Sequence, residues 1–203
     1  MVAKGVGDIT LSLKFLKRLS EEFTVICANG NHELRLRNEK ETYGNKYREY
    51  RQALNEMGIT FLSDQKISLD EDIELYGVNL ISEYYKPGYP KMQTGFMEKV
   101  LGRPEAEKFS VLLAHSPMFF REYAEWGADL TLSGHFHGGT IQIPFLGGLM
   151  TPQYQFFFPW YAGQYEGMMG RKMIVGRGLG THSINIRFND KPQVVVVDIT
   201  NKN

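Results

Sequence analysis

The 203 residues carry 23 Lys+Arg against 23 Asp+Glu, so the chain is formally neutral and lacks the basic excess of a nucleic-acid-binding or polybasic membrane-binding protein. Hydrophobic residues make up 42% and charged residues 23%, an ordinary balance for one domain able to bury a sizeable core. A single cysteine, Cys27, excludes an intrachain disulfide and a cysteine-based zinc knuckle, and no apolar run approaches the ~18 residues of a membrane span.

Apolar residues at helical spacing run through residues 10–23, with Leu13, Phe15, Leu16 and Leu19 forming the stripe and Asp8 placed as an N-cap. Residues 23–28 read as a short buried strand. A charged, helix-favouring stretch over 38–57 ends at Gly58, a C-cap residue. Strands are predicted at 59–62, 66–69 and 73–80. A loop then leads into a short helix over 95–101, a buried strand over 109–114, a helix over 118–127 and a strand over 128–133. Glycine-rich loops follow, then closing strands at 171–175, 183–188 and 193–199. Helices alternate with strands early and strands dominate late, which predicts a single α/β layered domain with mixed sheets.

Three of these strands end alike. The first is followed by Gly30-Asn31-His32-Glu33, the second by His115-Ser116-Pro117, the third by Gly134-His135-Phe136-His137-Gly138-Gly139. Ligands of α/β sheets sit in the crevice beyond the carboxyl ends of strands, and four of the five histidines fall there. Residues i and i+2 of a regular strand share a face but lie ~7 Å apart. Gly134 and the Gly138-Gly139 pair permit a tight turn that lets His135 and His137 converge. Neutral imidazoles suit Zn, Fe or Mn, and the Asn31 amide oxygen suits harder ions without adding negative charge. His182 lacks such company and reads as a loop residue. Glycines at 147–148 and at 178 and 180 read equally well as turns or as a backbone cradle for phosphate. Arg177 serves a phosphate or the surface, and the aromatic run at 153–165 flanks an apolar substrate or fills a satellite cluster under a loop.

The ordered set Gly30-Asn31-His32-Glu33, His115 and Gly134-His135-Phe136-His137 resembles the calcineurin-like metallophosphoesterase superfamily. The segment from Val175 to Ile199 is similar to its bacterial membrane-linked phosphodiesterases, a branch that includes relatives of UDP-diacylglucosamine pyrophosphohydrolases. The resemblance implies a four-layer sandwich of two mixed β-sheets flanked by helices. It also implies a dimetal phosphohydrolase that cleaves phosphodiester or pyrophosphate bonds with a metal-activated hydroxide. On that pattern Asn31, His115 and His135 bind one divalent ion (Mn, Fe or Zn) and His137 the other. His32 stabilises or protonates the leaving group, and Glu33 orients His32. The implied partner is a phosphoester, lipid-like in this branch, with no nucleic acid. The implied location is cytoplasmic, or membrane-associated through an N-terminal segment.

The family site begins with Asp-x-His and then a Gly-Asp whose carboxylate bridges the metals, and neither precedes Gly30 here. Asp8 follows no buried strand, so it reads as a cap. The expectation is therefore a domain lacking its N-terminal βα portion, with fewer than two metals and little activity by itself. The rival expectation is a non-catalytic remnant of the fold with an incomplete metal site.

Overall fold

The computed structural model describes residues 8–139, 142–143, 147–148, 151, 153, 155–156, 158–180 and 190–200. Asp8 Oδ1 accepts the Thr10 N–H at 2.8 Å, as a capping carboxylate does, and α1 (Thr10–Ser20) follows. The strand β1 (Ile26–Ala28) pairs in parallel with β2 (Thr60–Leu62). Between them run α2 (Asn31–Asn38), α3 (Lys40–Tyr43) and α4 (Lys46–Glu56). The single helix predicted over 38–57 is thus divided. Gly44 adopts a positive φ of 58°, which terminates α3, and α4 starts afresh after Asn45.

The chain continues through β3 (Gln65–Ser68), β4 (Ile73–Gly77), a 3-10 turn at Ser82–Tyr85, α5 (Phe96–Leu101), β5 (Phe109–Leu113), α6 (Phe120–Trp126) and β6 (Leu130–Ser133). A short hairpin of β7 (Gln142–Ile143) and β8 (Gly147–Gly148) precedes β9 (Gly163–Glu166) and β10 (Lys172–Val175). The large sheet has the order β3-β4-β5-β6-β10-β9. Its inner four strands are parallel and its two edges antiparallel, so β4, β5, β6 and β10 deliver their carboxyl ends to one rim.

Three apolar clusters stack these elements. Leu16, Leu36, Tyr50, Leu54, Ile59 and Phe61 join α1, α2 and α4 to the β1–β2 pair. Leu62, Leu75, Val111 and Leu130, with Ile26, Leu132 and Ile174 packed against them, fill the space between the sheets. Tyr76, Leu112, Phe119 and Tyr123 cover the far face of the large sheet, with Met97 of α5. The alternation is that of a pleat: Leu75, Val111 and Leu130 point inward while Tyr76, Leu112 and Thr131 point the other way. The result is helix, sheet, sheet, helix, with the large sheet mixed and the small pair parallel. A Cβ on Gly77 would overlap the Leu62 side chain, so glycine sets how closely β4 approaches β2.

The valine-rich stretch 193–199, predicted as a closing strand, has no regular secondary structure. Val194 is 75% and Val196 83% exposed, and the Gln193 N–H is donated to Gly178 O at 3.1 Å. The neighbour predicted at 183–188 and His182 lie outside the described residues. Among the described residues no helix is long and apolar enough to cross a membrane.

Candidate active site

Two sheets contribute to one place. Beyond β1, Gly30 is extended (φ −99°, ψ −176°) and begins α2 at Asn31, with its N–H donated to Glu33 Oε2 at 2.9 Å. Glu33 is 3% exposed and satisfies one of the orphan donors that every helix start presents. This local bond explains why helix begins immediately after the strand, with Asn31 and His32 on its first turn. Behind them Asn29 Nδ2 donates to Asn79 Oδ1 at 2.6 Å. Asn79 Nδ2 donates to Ser63 Oγ at 2.8 Å and Asp64 Oδ2 at 2.7 Å. This buried chain of amides and a carboxylate ties the end of β1 to the segment beyond β4.

Beyond β5 and β6 the ladder extends one step past the strands. Ala114 N–H donates to Leu132 O at 3.1 Å, Gly134 N–H to His115 O at 3.1 Å, and the Ser133 hydroxyl to Ala114 O at 2.6 Å. The Tyr123 hydroxyl donates to Ser116 O at 2.9 Å and fixes the corner from below. His115 and His135 are thereby held side by side, with ring centroids 5.1 Å apart. Across the gap from α2, Asn31 Oδ1 lies 3.1 Å from His115 Nε2.

The turn after β6 is built differently from the sequence expectation. Gly138 does take a positive φ of 69°, but His135 (φ 65°) and His137 (φ 47°) are themselves left-handed. Left-handed non-glycine residues cost on the order of 1–2 kcal/mol each, and such strain concentrates at functional sites. Phe136 holds the turn. It is fully buried and meets Phe158 edge-on at 5.2 Å, and Phe158 in turn meets Trp160. Of the aromatic run at 153–165, Phe158 and Trp160 form a satellite cluster behind the histidine turn, whereas Phe156 is 61% exposed; Tyr154 and Phe157 lie outside the described residues. The Asp190 carboxylate, itself buried and 3.6 Å from Arg177, lies where a Cβ on Gly138 would fall. Arg177 is thus engaged by a carboxylate at this turn. Gly147 and Gly148 form β8, and Gly178 accepts a bond from Gln193 N–H at 3.1 Å.

Burial holds the His115 imidazole far below its ordinary range, to about 3; Glu33 opposes this, while the charges of His137 and His32 add to it. His32, Glu33 and His137 are thus all within electrostatic reach of His115. A neutral imidazole beside an amide oxygen is the donor chemistry that a divalent cation selects, and Gly30 leaves open a cradle that a Cβ would fill, 3.1 Å from His115 Nε2. Asn31 and His115 bring two such donors together, with the His135 ring beside them. Among the described residues no group of three or more His, Cys, Asp or Glu could hold a metal by itself.

Two features escaped the sequence reading. The Asn29–Asn79 link was invisible because its halves lie 50 residues apart. Tyr85, whose ring stands edge-on to His135 at 5.1 Å and lies 6.2 Å from His115, sits in a polar stretch with no motif. The only local signal was the apolar pair Tyr84-Tyr85 in charged surroundings.

A motif-bearing site at converging strand ends of a two-sheet sandwich has a counterpart among known families. The chain belongs to the calcineurin-like phosphoesterases, whose family model matches residues 3–139. Over 94% of its length it is 29% identical to an uncharacterized metallophosphoesterase of Bacillus subtilis (strain 168), YkuE, covering 61% of that protein. It is 31% identical to an uncharacterized metallophosphoesterase of Aquifex aeolicus (strain VF5), over 73% of the chain and 54% of the relative. A Helicobacter pylori (strain J99) metallophosphoesterase is 29% identical over 84% of the chain and 46% of its own length. The chain thus spans about half the length of these curated relatives. No solved structure matches it significantly.

Proposed function

We propose that this chain is a divalent-metal phosphohydrolase acting on phosphodiester or pyrophosphate bonds. The observation that carries this reading is the meeting of Asn31 Oδ1 and His115 Nε2 at 3.1 Å across the two sheets, with the His135 ring beside them. Asn31, His115 and His135 would hold one ion and His137 would belong to a second, the pair supplying Lewis acidity and a nucleophile at neutral pH.

The chain's own groups do the rest. His32 stands on the first turn of α2, where the helix N-terminus favours negative charge, and it stabilises or protonates the departing oxygen. Glu33 fixes that turn through the Gly30 N–H and places a carboxylate within electrostatic reach of His115. Phe136 and the aromatic cluster behind it keep the histidine turn in its left-handed conformation. Phe158 and Trp160 are engaged in packing while Phe156 is exposed, and a lipid-linked substrate is a refinement tested by comparing acylated and plain substrates.

The test is metal analysis joined to hydrolysis of a chromogenic phosphodiester, on this chain and on one extended at its N-terminus. Metal-dependent turnover by either form supports the phosphohydrolase. Turnover by the extended form alone shows that further carboxylate donors complete the site. A second reading, a non-catalytic remnant, is favoured by the lack of a three-member His, Cys, Asp or Glu cluster among the described residues. It requires zero or one metal per chain and no turnover from either form.

A further inference from the structure

Tyr85 ends the 3-10 turn beyond β4, and its backbone is fixed on both sides. Gln153 Nε2 donates to Tyr84 O at 3.1 Å and to Lys86 O at 3.0 Å. The preceding Tyr84 is buried against Phe96 and Phe119, and its hydroxyl accepts the Gln93 N–H at 3.0 Å. Tyr85 is therefore a rigidly presented side chain. Its ring lies on the His135 edge and near His115, yet its hydroxyl oxygen is buried and has no hydrogen-bond partner among the described residues. A buried hydroxyl without a partner costs on the order of 1–3 kcal/mol, which asks for a function when the group is this well positioned.

We propose that the Tyr85 hydroxyl is a substrate-binding group that donates a hydrogen bond to a phosphoryl oxygen held over His115 and His135. A phosphoryl oxygen that reached the hydroxyl would supply the acceptor it lacks, and the fixed backbone on both sides of Tyr85 holds the donor in place. This inference rests on the phosphohydrolase reading and adds to it a residue that the metal-ligand pattern does not contain.

The test is calorimetric titration of the full chain with inorganic phosphate in the presence of Mn²⁺, for the unaltered protein, Tyr85→Phe and Thr131→Val. Thr131 in β6 carries another buried hydroxyl without a partner among the described residues and serves as the control. Tyr85→Phe is expected to weaken phosphate binding by about tenfold or more while its melting temperature holds or rises. Thr131→Val is expected to leave phosphate binding unchanged. Phosphate binding by Tyr85→Phe within twofold of the unaltered protein overturns the proposal, and so does an equal loss in Thr131→Val. If the unaltered protein binds no phosphate, the Tyr85 proposal is overturned for this chain, while the phosphohydrolase reading is decided separately by the turnover test.

Discussion

Gly30 faces the His115 imidazole with no room for a methyl group between them: a Cβ would lie 3.1 Å from both Cε1 and Nε2, and 2.9 Å from Glu33 Oε2. The backbone at Gly30 is ordinary extended chain, so any residue is conformationally acceptable there and the constraint is purely steric. Gly30→Ala should displace His115 or Glu33 and lower Mn²⁺ affinity by roughly 10–100-fold, the usual consequence of disturbing groups that orient ligands. Calorimetry of metal binding reads this directly. Unchanged affinity would show that His115 is not a ligand.

Glu33 ties α2 to β1. Glu33→Ala leaves the Gly30 N–H buried and unpaired, and should cost about 1–2 kcal/mol in urea unfolding. Glu33→Gln keeps an acceptor oxygen in place and should lose less than half of that. Equal losses would mean that charge, rather than the cap, is what Glu33 supplies.

At Gly77 the restriction lies between the sheets. Gly77→Ala drives a methyl group into Leu62 and should destabilise the fold by about 1–3 kcal/mol. A double variant, Gly77→Ala with Leu62→Gly, tests the geometry, because the overlap is with the Leu62 Cβ and removing that atom should make the combined loss smaller than the sum of the two single losses. Strict additivity would show that the two do not meet.

The acid limb of stability should depend on Glu74, which is buried and receives the Tyr76 hydroxyl and the Lys66 ammonium. Burial works to raise its carboxyl, but these two donors overcome the effect and hold it below the usual range. Because the folded group titrates below the unfolded one, its stabilisation is complete above about pH 4.3 and is lost as the pH falls through the folded value. Glu74→Gln should flatten that part of a stability-against-pH curve while lowering stability near neutrality by about 1–2 kcal/mol. An unaltered acid limb would assign it to other carboxylates.

Much of the architecture was legible because its signals are local. The apolar runs of β5, β6 and β10 announce themselves, and so does the abrupt change from apolar strand to Asn31, His115 and His135. The errors arose where a local signal needed a distant answer. The division of the 38–57 helix turns on Gly44, whose φ of 58° is one of several options open to glycine. The 193–199 valines have strand composition but form no regular strand, and the strand expected at 183–188 lies outside the described residues. At the site, residue types were readable but conformations were not: the turn was expected to use its glycines, whereas His135 and His137 take the strained backbone themselves. Tyr85 and the Asn29–Asn79–Asp64 network carry no pattern at all, since only the sandwich brings them to the site.

Phe136 has no chemistry to offer, yet it sits between the two strained histidines like a clamp. Its hold depends on Phe158 and Trp160, which belong to neither sheet. Trp160 in turn packs against Phe120 of α6 and Met173 and Val175 of β10, so the chain of rings that holds the histidine turn ends in the core of the large sheet. On heating, the turn should therefore hold its conformation until the large sheet itself gives way. Loosening of any one ring in that chain would pass from the core to the histidines.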